Sequence, residues 1–126
     1  VSDLFAISGS YTATPSSGSP SADPLITAPL DEKLMLATEL ASQLTLNSDG
    51  PISLPFGGLT GVNALIVKSV GGKITVTITS ADGATQAVPV DSFLALVSSS
   101  VDITAIEVER VPAVQTVVKY FLGQKA

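Results

Sequence analysis

Hydrophobic positions recur at every second residue over most of this chain. The clearest stretch is Lys73 to Thr79, where Ile74, Val76 and Ile78 fall on one side and Thr75, Thr77 and Thr79 on the other. That period is the mark of a strand with one buried face. Gly71-Gly72 in front of it reads as a two-residue hairpin turn, which makes Val62 to Lys68 its partner. That partner is apolar on both faces and is expected in the middle of a sheet. Ser80-Ala81-Asp82-Gly83 turns the chain into Ala84 to Val90, where Pro89 marks an edge strand or a strand end. Phe93 to Val97 is a short apolar run closed by Ser98-Ser99-Ser100. Ile103 to Val111 sets Thr104, Ile106 and Val108 against Ala105, Glu107 and Glu109, and Pro112 ends it. In the last strand, Val114 to Leu122, Val114, Val118, Tyr120 and Leu122 share one face and Val117 and Phe121 the other. Gly123 is expected to end it.

The stretch 32–46 has two readings. Leu34, Leu36, Leu40, Leu44 and Leu46 hold the even positions of a strand. Leu36, Leu40 and Leu44 also stand four apart, and Glu, Lys, Ala and Leu favour a helix. The strand reading is preferred, because the clear neighbours are strands. Asn47-Ser48-Asp49-Gly50-Pro51 is a turn, and Ile52 to Phe56 a further short strand. About eight short strands with regular turn signals predict an all-β fold, two antiparallel sheets packed face to face as a jelly-roll or Greek-key sandwich.

Ahead of this lies a Ser/Pro/Gly tract over residues 8–24 that neither alternates nor packs a core. Residues 1–24 are therefore expected to form an extended N-terminal arm, and residues 25–126 the β-sandwich domain. Leu4, Phe5 and Ile7, apolar in front of a polar tract, suggest an arm that lies on a neighbouring subunit rather than a solubilising tail. The first residues lack the basic start and long apolar stretch of a signal peptide. The chain starts without Met, which processing or trimming would explain.

Composition narrows the chemistry. The 126 residues include no His, Cys or Trp. That alphabet cannot build a Ser-His-Asp triad, a cysteine nucleophile, a zinc finger, a haem site with a His or Cys ligand, or an iron–sulfur cluster. Six cations face eleven acids, for a net charge of -5, and the cations are scattered, so nucleic acid is not an expected partner. No apolar run is long enough for a membrane-spanning helix, so a membrane is not expected either. Charged residues make up 13%, half of the usual share of about 25%, which suits a surface hidden in an assembly.

The remaining motifs have ordinary readings. Glu107 and Glu109 share a strand face at a spacing open to a glycosidase pair. A sugar cleft also needs aromatic walls, and aromatic residues are 5% of the chain. The acids are better read as a solvated face paired with Lys119. Asp49-Gly50 and Asp82-Gly83 are turn chemistry rather than calcium loops. Gly57-Gly58-Leu59-Thr60-Gly61 lacks the Lys of a phosphate-binding loop and reads as a flexible connection. The Thr75/Thr77/Thr79 row resembles an ice-binding face but is a single row of ordinary strand residues. No catalytic, cofactor or metal residue is assigned, and the chain is not expected to be an enzyme. The surplus apolar positions do point somewhere. Val117 and Phe121, on the second face of a strand whose first face is already apolar, join Leu4, Phe5 and Ile7 as the candidate interface.

Several stretches resemble small all-β virion structural proteins of tailed bacteriophages over roughly residues 31–123. They are Gly71-Gly72-Lys73-Ile74 through Thr79-Ser80-Ala81-Asp82-Gly83 to Gln86-Ala87-Val88-Pro89-Val90-Asp91-Ser92-Phe93, then Ile103 to Arg110, Tyr120-Phe121-Leu122-Gly123 and Pro55-Phe56-Gly57-Gly58. These are turns and core strands, so no catalytic residue follows from them. The resemblance implies a component of the particle. A compact β domain with an arm suits a capsid decoration or cement protein, expected as a homotrimer at capsomer junctions on the major capsid protein, located in the virion after assembly in the host cytoplasm. A tail or head–tail adaptor protein is the alternative within the class. A secreted carbohydrate-binding module is the alternative outside it, although that function wants exposed Trp or Tyr platforms, and Tyr11 lies in the arm.

Overall fold

The computed structural model describes residues 3–7, 10–13, 26–29 and 32–126. Among these described residues eleven strands run in order: β1 (Asp3–Ile7), β2 (Ser10–Ala13), β3 (Ile26–Pro29), β4 (Glu32–Leu46), β5 (Ile52–Ser53), β6 (Ala64–Val70), β7 (Ile74–Ser80), β8 (Thr85–Val90), β9 (Phe93–Val97), β10 (Ile103–Arg110) and β11 (Thr116–Lys125). Among the described residues there is no helix, and every strand pair is antiparallel.

Two sheets carry the fold. One has the order β1-β4-β11-β6-β9 and the other β5-β10-β7-β8, while β2 and β3 form a separate ladder. From β4 onward the chain passes back and forth between the two sheets, and the eight strands β4 to β11 make two four-stranded layers. That connectivity is the jelly roll. The boundary expected after residue 24 falls outside the described residues. Of the arm's candidate contacts, Leu4 is exposed and stands in register with Met35. Phe5 is in register with Leu34 and Ile7 with Glu32, and their side chains lie outside the described residues.

The core fills the space between the layers. Leu65, Val67, Val118, Tyr120 and Leu122 come from the larger sheet, and Ile74, Val76, Ile106 and Val108 from the smaller. Full burial of each such side chain stabilises by roughly 1.5–3 kcal/mol before the entropy of ordering is counted. The stretch 32–46 is a strand over its whole length, because β1 and β11 both hydrogen-bond to it. Pro89 lies on the edge strand β8, where its missing N–H costs no ladder bond.

Four local expectations are corrected. Gly71-Gly72 does not close a hairpin: β6 and β7 lie in different sheets, and the glycines carry the chain across between them. Gly71 has φ +96°, and a Cβ on Gly72 would come within 2.7 Å of Thr116 Oγ1. A tight passage over the start of β11 therefore demands the same residues as a hairpin turn. In β10, Ile103 pairs with Ser80 and Ala105 with Thr79, so Thr104 is an extra residue in a bulge. Ile103 is therefore buried and Thr104 exposed, against simple alternation. Glu107 and Glu109 cannot pair with Lys119, because β10 and β11 lie in opposite layers. Finally, Gly123 does not end the last strand, which continues to Lys125.

Gly123 has a different role. Gln124 pairs with Thr38 but Lys125 pairs with Leu36, so Ala37 is an extra residue in β4. A one-residue slip moves the following side chains to the other face. Leu40, Leu44 and Leu46 accordingly belong to the main core, whereas Leu34 and Leu36 pack with Ala64, Ile66, Val97 and Phe121 in a second cluster. Leu36 is 2% exposed there, and its Cδ1 lies 2.7 Å from where a Cβ on Gly123 would stand. Gly123→Ala is expected to destabilise the fold by about 1–3 kcal/mol through overpacking. In urea unfolding, the Gly123→Ala/Leu36→Ala double variant should lose less than the sum of the single ones; strict additivity would refute the contact.

Candidate functional site

The larger sheet turns its second face outward, and the registers give that face in rows. Thr45, Val117 and Val70 form the first. Gln43, Lys119, Lys68 and Phe93 form the next, then Ala41, Phe121, Ile66 and Ala95, then Glu39, Gly123, Ala64 and Val97. Val117 and Phe121 thus sit where the two-sided pattern of the last strand placed them, opposite Val118, Tyr120 and Leu122 in the core. β-branched and aromatic residues alternate here with little polar interruption, which favours an extended strand between two neighbours.

The two ends of this face differ. At the Gly123 row the face is closed, with Leu36 and Ala64 buried. At the other end it is open: Phe93 is 66% exposed and Val70 42%. A shallow depression lined by Ala41, Ile66 and Phe121 lies between the two ends, with Lys68 and Lys119 on its lining. Tyr120 is 6% exposed in the opposite layer of side chains, so its ring offers no stacking platform to a sugar.

The acids expected to matter least lie apart from this face. Glu107 is in register with Thr77 and Ser53, and Glu109 with Thr75, all on the exposed side of the smaller sheet. Asp82 accepts a hydrogen bond from the Ala84 N–H at 3.0 Å, which makes Asp82-Gly83 a plain turn of the β7–β8 hairpin. Among the described residues no group of three or more His, Cys, Asp or Glu side chains comes together to hold a metal ion. The Gly57–Gly61 loop is tied down rather than free: Gln124 accepts from the Thr60 N–H at 3.1 Å and donates to its hydroxyl at 2.9 Å. The Asp102 carboxylate lies against Gly61, which sets an acid where a phosphate would need donors.

Two polar centres emerge from the structure; the sequence marks Asp49 only as turn chemistry and gives Asn63 no role. Asn63 is fully buried, and its Nδ2 donates to the Ser98 carbonyl at 3.0 Å and to Asp102 Oδ1 at 2.9 Å. Its Oδ1 accepts from the Lys125 N–H at 3.0 Å. Its backbone bonds to Gly123 and Ser98, so this one residue ties β6, β11 and the β9–β10 loop together. An isolated Asn between apolar residues was its only sequence signal. Asp49 is the second centre. Its Oδ1 accepts from the Ala113 N–H at 3.0 Å and pairs with Arg110 at 3.0 Å. Arg110 also donates to the Leu46 carbonyl, so the pair fastens the β4–β5 turn to the β10–β11 turn. The Ala113 N–H above all holds the Asp49 carboxyl below its ordinary value of 3.8; desolvation opposes it, and the Arg110 hydrogen bond and charge add smaller lowering contributions.

No protein-family model matches the chain, and no curated protein matches it.

Both centres are testable. Asn63→Ala leaves the Lys125 N–H and the Ser98 carbonyl without their side-chain partner, and urea unfolding should show a loss of roughly 1–3 kcal/mol, the scale of leaving buried polar groups unsatisfied. A loss within experimental error would mean that water replaces these bonds. For Asp49 the folded-state value is lowered, so its stabilisation is complete above the unfolded carboxylate range and is lost as the pH falls through the folded value. Asp49→Asn should lower the melting temperature at neutral pH, and its gap to the wild type should close in acid. A gap that stays constant with pH would refute the charge-assisted bonds.

Proposed function

We propose that this chain is a non-enzymatic structural component of a tailed-bacteriophage virion, a capsid decoration protein that binds the particle through the outer face of its five-stranded sheet. The observation that carries this reading is that face itself. Val117, Val70 and Phe93 remain partly or largely exposed on a layer whose other side already fills the core. Apolar side chains on the second side of a sheet are stabilised by a partner surface. Eight-stranded jelly rolls recur in viral capsid and lectin domains, which supports the reading by analogy of fold. The described acids are dispersed on flat surfaces or engaged in turns, an arrangement suited to holding surfaces together.

Val117 is the sharper probe of this face, because Phe121 also packs against the Leu36 cluster. Mass spectrometry of gradient-purified phage particles, from a culture that carries the gene, should find the chain in many copies per particle. Val117→Asp should leave the melting temperature within about 2 °C of the wild type, as for a surface substitution, and should lower the number of copies retained on the particles. Recovery of the chain only as free protein, or binding of a glycan at the same face, would overturn the proposal.

A further inference from the structure

We propose that copies of this chain associate face to back, with Lys68 and Lys119 of one copy seated against Glu107 and Glu109 of the next. The argument starts from an unfavourable local arrangement. Lys68 and Lys119 are directly opposite one another on neighbouring strands, β6 and β11. Like charges in that position repel. Only six cations serve a chain of net charge -5, and two of them occupy the middle of an apolar face. Neither forms a hydrogen bond or an ion pair among the described residues. Glu39, the acid in the four rows given above, stands two rows away, beyond Phe121.

This charge pattern selects the occupant. A two-fold contact of the face with itself would bring four ammonium groups together, so an isologous dimer is disfavoured. The fitting surface has two carboxylates among uncharged residues of modest polarity. The outer side of β10 and β7 has that chemistry: Glu107 and Glu109 are exposed and in register with Thr77 and Thr75. Lys73, the cation at the Glu109 end, makes no ion pair there among the described residues. The two acids lie about 7 Å apart, two residues along one strand, and long lysine side chains span that distance readily.

The geometry also sets the form of the assembly. The two surfaces are the opposite outer sides of one sandwich, so each copy offers one to a neighbour above and the other to a neighbour below. A heterologous contact of this kind continues as an open stack unless a rotation closes it. The result is a chain of copies rather than the closed trimer expected from the sequence. Only the copy at one end of such a stack keeps the Val117 and Phe121 face uncovered, so the particle would be met through that end copy, and the contact between copies is tested on the purified protein alone.

The test is sedimentation velocity of the full chain over a range of concentrations, at low and high salt. The wild type should gain mass with concentration, less so at high salt, where charges are screened. The Lys68→Glu/Lys119→Glu variant and the Glu107→Lys/Glu109→Lys variant should each associate about tenfold or more weakly, the scale of losing close charge pairs at a contact. Their circular dichroism melts should confirm that both are folded. An equimolar mixture of the two should regain association, because each variant then finds an oppositely charged face on the other. A wild type that stays monomeric throughout, a mass indifferent to the charge reversals, or a mixture that fails to recover would each overturn the proposal.

Discussion

The last strand of the chain is the middle strand of its larger sheet, and the remaining structure depends on that placement. β11 bonds along nearly its whole length to β4 on one side and to β6 on the other. Two strands far apart in the sequence, β4 and β11, are thereby joined, and the sheet cannot form before β11 is present. Its two sides have different partners. Val118, Tyr120 and Leu122 fill the space between the layers, while Val117, Lys119 and Phe121 look outward. An apolar strand at the centre of a sheet is stabilised on one side by the fold, and its other side is left for a second contact.

Two irregularities refine this plan. The extra residue in β4 transfers Leu34 and Leu36 to the outer side, where Gly123 leaves them room. The outer face is consequently closed at one end and open at the other. The extra residue in β10 brings Ile103 into the core beside the isolated bridge to Val62. Polar groups then lock the ends: Asn63 at the Gly123 end, and Asp49 with Arg110 at the turns of the opposite end. What stays exposed is a flat apolar patch with two lysines on one layer and a threonine surface with two glutamates on the other.

Much of this was legible from alternation alone. Period-two patterning needs only the neighbouring residues, so the strands from residue 62 on, the edge character of Pro89 and the two-sidedness of Val114 to Leu122 could be read directly, whereas residues 32–46 fitted a helix as well and were decided by their partners β1 and β11. The same local logic misled at Gly71-Gly72, because glycines mark any tight reversal, whether it joins paired strands or crosses between layers. Thr104 and Ala37 were unreadable as bulges, since a bulge is defined by the partner strand and leaves no signature of its own in the sequence. Asn63 was passed over for a related reason: its five bonds reach residues far along the chain.

The sequence by itself therefore determined that the chain is all-β, that its surface carries more apolar positions than one core can bury, and that nucleophile and metal chemistry based on His or Cys is closed to it. Those properties follow from side-chain identity and spacing, which act over a few residues. Only the tertiary structure decided which strands are neighbours, that β6 and β7 part into different layers, and that Lys68 meets Lys119 while Glu107 and Glu109 face the opposite way. Strand order is set by which apolar faces can be buried together, and that is a property of the whole packed sandwich.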